Sequence, residues 1–203
     1  MEYIGPKVHI DLKRLENNYN VLSKDLKDIP IMATVKANAY GHGAVEISRI
    51  LERVGVRYLA VFTIEEGIEL REAGIKTDIL IYSKLNHTAL NEAEKYNLTL
   101  NISSFVDLDH LRDFEGKSLR VHLKIDTGMT RLGVPHNKAE TFLKEAAQIS
   151  SINIEGIYSH FSTGDEGELS YAKKQLNRFN KVIELAKKLN ICLLYTSDAA
   201  DDV

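Results

Sequence analysis

The sequence predicts an α/β protein built on a parallel sheet, from two observations. Short apolar runs alternate about six times with segments whose apolar residues recur at helical spacing. A helix between consecutive strands returns the chain to the same edge of the sheet, so the strands run parallel. Two architectures fit, an open doubly wound sheet and an eight-stranded TIM-type (β/α)8 barrel. No G-x-G-x-x-G motif follows the first strand, which argues against a dinucleotide-binding sheet.

The first three strand–helix units follow from apolar runs and their boundary residues. Strands are predicted at residues 31–35, 58–62 and 78–82, each a short apolar run typical of a buried parallel strand. The first helix ends near Gly55, a stop signal. The second begins at a capping box formed by Thr63 and Glu66. A third helix is predicted through residues 86–95.

The last three units follow the same pattern. Strands are predicted at residues 98–102, 119–125 and 152–161. Ser103 and Ser104 are the expected caps of the fourth helix. The helix after the fifth strand has an apolar face that includes Phe142 and Leu143. The long final helix, 172–188, carries a lysine-rich stripe that we interpret as a solvated face rather than a basic binding patch.

Composition restricts the function. The chain has 203 residues, a formal net charge of −3 and one cysteine, Cys192. No global field would recruit nucleic acid, and no apolar run approaches the roughly 20 residues of a spanning helix. The start, "MEYIGPKVHID", lacks the pattern of a signal peptide. A soluble, cytoplasmic protein without membrane or nucleic-acid partners is therefore expected.

The end of the chain departs from the pattern. A seventh strand is due after the final helix, but "CLLYTSDAADDV" follows instead. This segment resembles the translated remnant of a sequencing adapter. Residues 1–191 are therefore expected to be part of a barrel domain, and residues 192–203 a non-native tail. The alternative is a genuine disordered C-terminus.

Polar side chains are predicted where strands end. Lys36 follows the first strand, Lys124 lies in the fifth with Arg131 beyond it, and His160 lies at the end of the sixth. The carboxyl ends of barrel strands converge on one rim, which holds the active site. Lys36 could be a lysine that extends from the barrel mouth into solvent. It could instead form a Schiff base, which needs a desolvated amine or nearby cations such as Lys124 and Arg131.

Three segments together resemble the alanine racemase family. "ATVKANAYGHGA" resembles its cofactor-lysine motif, "LKIDTGMTRLGV" its second signature and "EGIYSHFSTGDE" its third, in the family's order and at about its spacing. The resemblance covers residues 8 to about 191. It implies the (β/α)8 barrel, here incomplete, with about six of its eight strand–helix units present.

The resemblance also implies roles for individual residues. Lys36 would bind pyridoxal 5′-phosphate covalently as an imine and act as one of two catalytic bases. Tyr40 would hydrogen-bond the cofactor phosphate. Arg131 would lie near the cofactor's phenolic oxygen and orient the substrate carboxylate. Lys124 corresponds to a lysine that is often carbamylated, and His160 would pack against the pyridine ring. Without the motifs, Tyr40 could be a loop wedge and His160 a core histidine.

The implied activity is interconversion of L- and D-alanine by a two-base mechanism, which supplies D-alanine for peptidoglycan. The family implies a homodimer with shared active sites, in which the partner's tyrosine is the opposing base. That tyrosine and the remaining phosphate ligands are absent from this sequence, so the fragment alone is expected to be inactive. The family usually has glycine where this chain has Thr130, whose β-branched side chain restricts the backbone beside Arg131.

Two other functions fit less well. One is a racemase for serine, lysine or another amino acid, because the three motifs do not determine side-chain preference. The other is a non-catalytic pyridoxal-phosphate carrier on the same barrel, which does not normally combine "KANAYGHG" with "DTGMTRLG". No metal site is expected, since His160 and Asp165 are too sparse to define one.

Overall fold

The computed structural model describes residues 7–27 and 29–191. Within them lie seven strands: β1 (Met32–Thr34), β2 (Tyr58–Val61), β3 (Asp78–Ile81), β4 (Thr99–Ile102), β5 (Leu119–Asp126), β6 (Val134–Pro135) and β7 (Ile152–Tyr158). The helical elements are α1 (Leu12–Asp25), α2 (Lys36–Gly41), α3 (Ala44–Arg53), α4 (Ile64–Glu72), α5 (His87–Tyr96), α6 (Phe105–Arg112), the 3-10 helix His136–Lys138, α7 (Ala139–Ala146) and α8 (Ser170–Lys188). The predicted tail at 192–203 lies outside the described residues.

The strands form one parallel sheet whose main strands are ordered as in the sequence. β1 pairs with β2, and each following strand pairs with the next as far as β5. β7 then pairs with β5, and the short β6 pairs with the carboxyl end of β5. A doubly wound sheet reverses its strand order at a switch point, and this sheet does not. The sheet is therefore an arc of an incomplete barrel, and the six predicted strand–helix units are confirmed.

Side chains of the strands alternate between the helix-covered face and the barrel interior. Leu59 and Ile79 are paired in register, fully buried, and part of the large core cluster that includes the helices. Tyr58, Ala60 and Leu80 belong to a separate small cluster on the opposite face. The two clusters are the outer and inner surfaces of the arc, as the period-2 alternation of a strand requires.

The interior is ionic at the amino ends of the strands. Arg120 donates from Nη1 to Asp78 Oδ1 at 2.6 Å and from Nε to Glu155 Oε1 at 2.9 Å. The Tyr58 hydroxyl donates to Glu155 Oε2 at 2.7 Å. Burial opposes ionisation of Asp78, but the hydrogen bond and charge of Arg120 hold its pKa below the usual value. The amino ends are thus closed by a paired polar layer, opposite the rim that carries the candidate site.

The first helix, α1, is not among the predicted elements. Its N-cap Asp11 accepts hydrogen bonds from the backbone amides of Lys13 and Arg14 at 3.0 and 3.1 Å. Leu15 and Tyr19, four residues apart, pack against the core. Within the described part of the chain, none of the helices combines the length and apolar character needed to span a bilayer.

Candidate functional site

The carboxyl ends of β1, β5 and β7 surround a cavity of about 400 Å³. All five residues selected from the sequence line it: Lys36, Tyr40, Lys124, Arg131 and His160. The cavity is of the size of small-molecule sites in proteins. The predicted convergence of these side chains on one rim is therefore observed. Sequence reasoning did not select several other lining residues: Thr34, Phe62, Tyr82, Asp126, Met129, Tyr158 and Ser159.

The segment after Lys36 has an unusual backbone. Residues 37–40 all have φ between +50° and +55°, which makes α2 a left-handed turn. Each non-glycine residue in this region costs roughly 1–2 kcal/mol, so the surrounding structure must hold the turn. The Asn38 side chain contributes by accepting a hydrogen bond from Ala44 N at 2.7 Å. The turn brings Tyr40 to the same cavity as Lys36, although Tyr40 remains 61% exposed.

Glycines end this turn. Gly41 and Gly43 have φ values of +85° and +93°, a region that glycine adopts without steric cost. Gly43 N donates to Asn38 O at 3.0 Å, which closes the turn before α3 begins. The pair of glycines therefore allows the chain to reverse between the segment that carries Lys36 and helix α3.

The loop that carries Arg131 is organised by one carboxylate. Asp126 Oδ1 accepts hydrogen bonds from Gly128 N at 2.8 Å and from Thr130 N at 3.0 Å. Thr130 has φ of +61°, a conformation that β-branched residues rarely adopt. This positive φ explains physically why glycine suits the position in the family. A side chain at Gly133 would also bring a Cβ within 2.9 Å of Asp126 N.

Lys124 lies deep in the site. Its side chain projects from β5 and is only 8% exposed. Its Nζ lies 4.2 Å from the centroid of the Tyr158 ring, a cation–π contact. Burial, and then the nearby charge of Arg131, lower the pKa of Lys124 to about 8, while Asp126 acts in the opposite direction. The neutral form of this amine is therefore more populated at neutral pH than in an ordinary lysine, although the ammonium still predominates below pH 8.

Tyr158 belongs to a polar chain along the cavity wall. Its hydroxyl donates to Asn101 Oδ1 at 2.8 Å, and Asn101 Nδ2 donates to the Tyr82 carbonyl at 3.2 Å. The Tyr82 hydroxyl lies 3.4 Å from Thr34 Oγ1. These contacts cross from β7 through β4 and β3 to β1. They fix the aromatic ring against which the Lys124 amine lies.

His160 lies beyond β7, which ends at Tyr158 rather than at the predicted residue 161. The imidazole lines the cavity. Burial, and then the positive charges of Lys124, Arg131 and Lys36, lower its pKa. Its neutral form is therefore favoured.

Side chains of helix α8 hydrogen-bond the loop that follows β5 and the loop that follows β7. Gln175, which is buried, donates to the His160 carbonyl at 3.1 Å and accepts from Ser162 N at 3.0 Å. Arg178 Nη1 donates to the Thr127 carbonyl at 2.6 Å. These two residues lie on the inward side of α8, whereas the lysines of its lysine-rich stripe are exposed, as expected of a solvated face. Among the described residues, no group of three or more His, Cys, Asp or Glu side chains could hold a metal ion.

Comparisons with known proteins agree with this geometry. The sequence profile of the family described as "Alanine racemase, N-terminal domain" matches residues 10–200. "Alanine racemase 1" of Caldanaerobacter subterraneus subsp. tengcongensis is 38% identical over 204 residues, 96% of this chain and 52% of that protein. "Amino-acid racemase" of Enterococcus faecalis is 37% identical, over 92% of this chain and 27% of its own length.

Solved structures show the same relationship. An alanine racemase of Clostridium difficile 630 superimposes with a TM-score of 0.85 at 34% identity, covering 90% of this chain and 49% of that one. The chain therefore spans about half the length of the alanine racemases it matches. With its profile match, its parallel arc and its three signatures at one rim, the chain belongs to the alanine racemase N-terminal domain family.

Proposed function

We propose that the chain binds pyridoxal 5′-phosphate and forms the cofactor-binding half of an amino-acid racemase that acts on alanine. The observation that carries the proposal is that Lys36, Tyr40, Lys124, Arg131 and His160 line one cavity. The cavity offers a primary amine, cationic groups and aromatic side chains in about 400 Å³. Such a set fits an aromatic aldehyde that carries a phosphate.

Lys36 is the proposed site of covalent attachment and one catalytic base. Its amine extends from the end of β1 to the cavity, where the aldehyde oxygen would leave as water. When bound, the cofactor delocalises the electrons left on the substrate Cα, which makes the Cα–H bond acidic. Lys36 would remove or return that proton on one face. Tyr40, exposed at the opening, would donate its hydroxyl to the phosphate.

Arg131 is proposed to orient the substrate carboxylate, with Lys124 behind it. The lowered pKa of Lys124 supports carbamylation, because only a neutral amine adds to carbon dioxide. The addition releases one proton and converts the side chain to an anion. That anion would neutralise and hold the Arg131 guanidinium, which as a neighbouring cation now disfavours the Lys124 ammonium.

His160 is proposed to pack against the pyridine ring. The three positive charges that lower its pKa also favour an uncharged imidazole, which can stack without adding a further cation to the cavity. The carbonyl of His160 is fixed by Gln175 Nε2 at 3.1 Å. The backbone that carries the ring is therefore held in place at the rim of the site.

The remaining proposals concern the whole protein. Racemisation needs a base on each face of the substrate. We propose that the second base comes from a partner chain in a cytoplasmic homodimer, and that the product supplies D-alanine for peptidoglycan. The relative named "Amino-acid racemase" makes another amino acid the principal alternative substrate.

The proposal is tested by titrating pyridoxal phosphate into the 203-residue chain, reducing with borohydride and mapping the labelled peptide. Labelling at Lys36 is expected, and Lys36→Met should abolish it. Lys84→Met is the matched control, because Lys84 is an exposed lysine shortly after β3 that does not line the cavity. Equal labelling of the two variants would contradict the proposal.

A further inference from the structure

The left-handed turn after Lys36 needs an external anchor. Asn38 tolerates positive φ, but Ala37, Ala39 and Tyr40 have a conformational cost that their own side chains do not offset, since alanine and tyrosine have no local preference for this region. Within the turn, Ala39 N donates to Val35 O at 2.9 Å. The amide of Ala37, the first residue of the turn, donates its hydrogen bond to a residue outside the turn.

That acceptor is Glu66. Ala37 N donates to Glu66 Oε1 at 2.6 Å, across 29 positions of sequence. The other oxygen, Oε2, accepts from Phe62 N at 2.7 Å and from Thr63 N at 3.1 Å. One carboxylate therefore joins the loop that follows β1 to the loop that follows β2.

The capping box of α4 uses only one of the two carboxylate oxygens of Glu66. Glu66 is the third residue of α4, and with Thr63 it completes a capping box through Oε2. Asp107 occupies the same position in α6, and it accepts from Ser103 N at 2.7 Å within its own loop. The bond from Oε1 to Ala37 is additional, and it lies one residue after the cofactor lysine.

We propose that Glu66 is a positioning residue for Lys36. By fixing the Ala37 amide, Glu66 would hold the first residue of the left-handed turn and so the spacing of Lys36 and Tyr40 at the cavity. The inference rests on the proposed function, which makes Lys36 the residue that carries the cofactor. A carboxylate suits the task because charge-assisted hydrogen bonds are stronger than neutral ones.

Glu66→Asp separates the two roles. The shorter side chain retains its charge near the helix terminus but loses the length needed to reach Ala37. We expect amide hydrogen exchange at Ala37 in the cofactor-free chain to become about tenfold faster, as loss of one such bond implies. Glu66→Gln, which keeps the length but not the charge, should show the same change in smaller degree. Asp107→Asn is the matched control and should leave exchange at Ala37 unchanged.

The same variants are then titrated with pyridoxal phosphate and trapped with borohydride. Labelling of Lys36 is expected to require about tenfold more cofactor in Glu66→Asp, whereas Asp107→Asn should behave as wild type. Unchanged exchange at Ala37 and unchanged labelling in both Glu66 variants would overturn the inference. If the wild-type chain takes up no cofactor, the proposed function fails. Exchange at Ala37 then decides by itself whether Glu66 holds the turn.

Discussion

Lys124 is expected to destabilise the folded chain in a pH-dependent way, and Lys124→Met should remove that effect. A pKa lowered from its usual 10.5 to about 8 corresponds to about 3 kcal/mol against the folded ammonium form. Since only 8% of the residue is exposed, solvent screening discounts this value little. The methionine variant keeps much of the side-chain volume and removes the charge.

The direction of this pH dependence follows from the number of protons that the folded and unfolded chains bind. Between about pH 8 and 10.5 the unfolded chain keeps the Lys124 proton and the folded chain does not, so the free energy of unfolding rises with pH across that window. Below pH 8 both states are protonated and the full cost is present. Lys124→Met should therefore be more stable than wild type by about 3 kcal/mol at pH 7, with the advantage vanishing near pH 10.5.

Urea denaturation at pH 7, 9 and 10.5 measures the difference in free energy of unfolding between wild type and Lys124→Met. The buffer must be free of carbon dioxide so that carbamylation does not contribute. Lys173→Met, at an exposed position on α8, serves as the control for loss of a lysine. The reasoning is refuted if the difference between wild type and Lys124→Met is the same at all three pH values. If the difference in free energy of unfolding between wild type and Lys173→Met also narrows as the pH rises, the pH dependence is an effect of general surface charge and not of Lys124.

Three further substitutions test the packing of the barrel interior and of the loop beside Arg131. Gly156→Ala places a Cβ 2.8 Å from the buried His122 ring, so urea denaturation should show a loss of about 2 kcal/mol. Thr130→Gly should relieve the positive φ and raise the free energy of unfolding by about 0.5–1 kcal/mol, net of the entropy that glycine gains in the unfolded chain. Arg120→Met removes the ion-pair partner of Glu155 and one of the two partners of Asp78, which keeps Arg57, so it should cost about 3–5 kcal/mol at neutral pH. That cost should shrink as acid protonates Asp78, whose pKa Arg120 lowers.

Controls for these variants come from the same chain. Gly167→Ala adds a Cβ where no atom lies within 4 Å, so it should leave stability almost unchanged. A neutral effect of Gly156→Ala would mean that the His122 ring moves aside without cost. Destabilisation by Thr130→Gly would mean that the threonine contributes more through contacts than its backbone costs. If Arg120→Met lowers the free energy of unfolding by the same amount at pH 3 and at pH 7, the lost pairing with the carboxylates is not the cause.

Much of the fold could be predicted because its signals are local. The Thr63 and Glu66 capping box and the Ser104 cap are present as the sequence indicated. The left-handed turn could not be predicted, since three of its four residues are alanine or tyrosine, which have no local preference for positive φ. The amide that begins it bonds to Glu66, 29 positions away in sequence. The helix α1 was missed, although its Asp11 cap is visible in the sequence.

The candidate site shows the same division. Its five charged, aromatic and imidazole residues could be selected from three motifs, because those residue types are unusual at strand ends. The residues that form the cavity wall could not be selected from the sequence, since Tyr82, Phe62 and Tyr158 resemble ordinary strand residues. Which of them face the interior depends on register and on irregularities such as the shift in pairing between β5 and β7 near His122. Register follows from tertiary pairing, which no short motif records.

Both loops at the rim place non-glycine residues at positive φ, and a carboxylate holds each of them. Glu66 accepts the amide that begins the turn after Lys36, and Asp126 accepts the amide of Thr130 beside Arg131. Strain of this kind persists only where surrounding groups determine the backbone more strongly than local preference does. The hydrogen bonds of both carboxylates therefore act on backbone conformation. Their removal should change where the two cations lie before it changes the chemistry that the cations can perform.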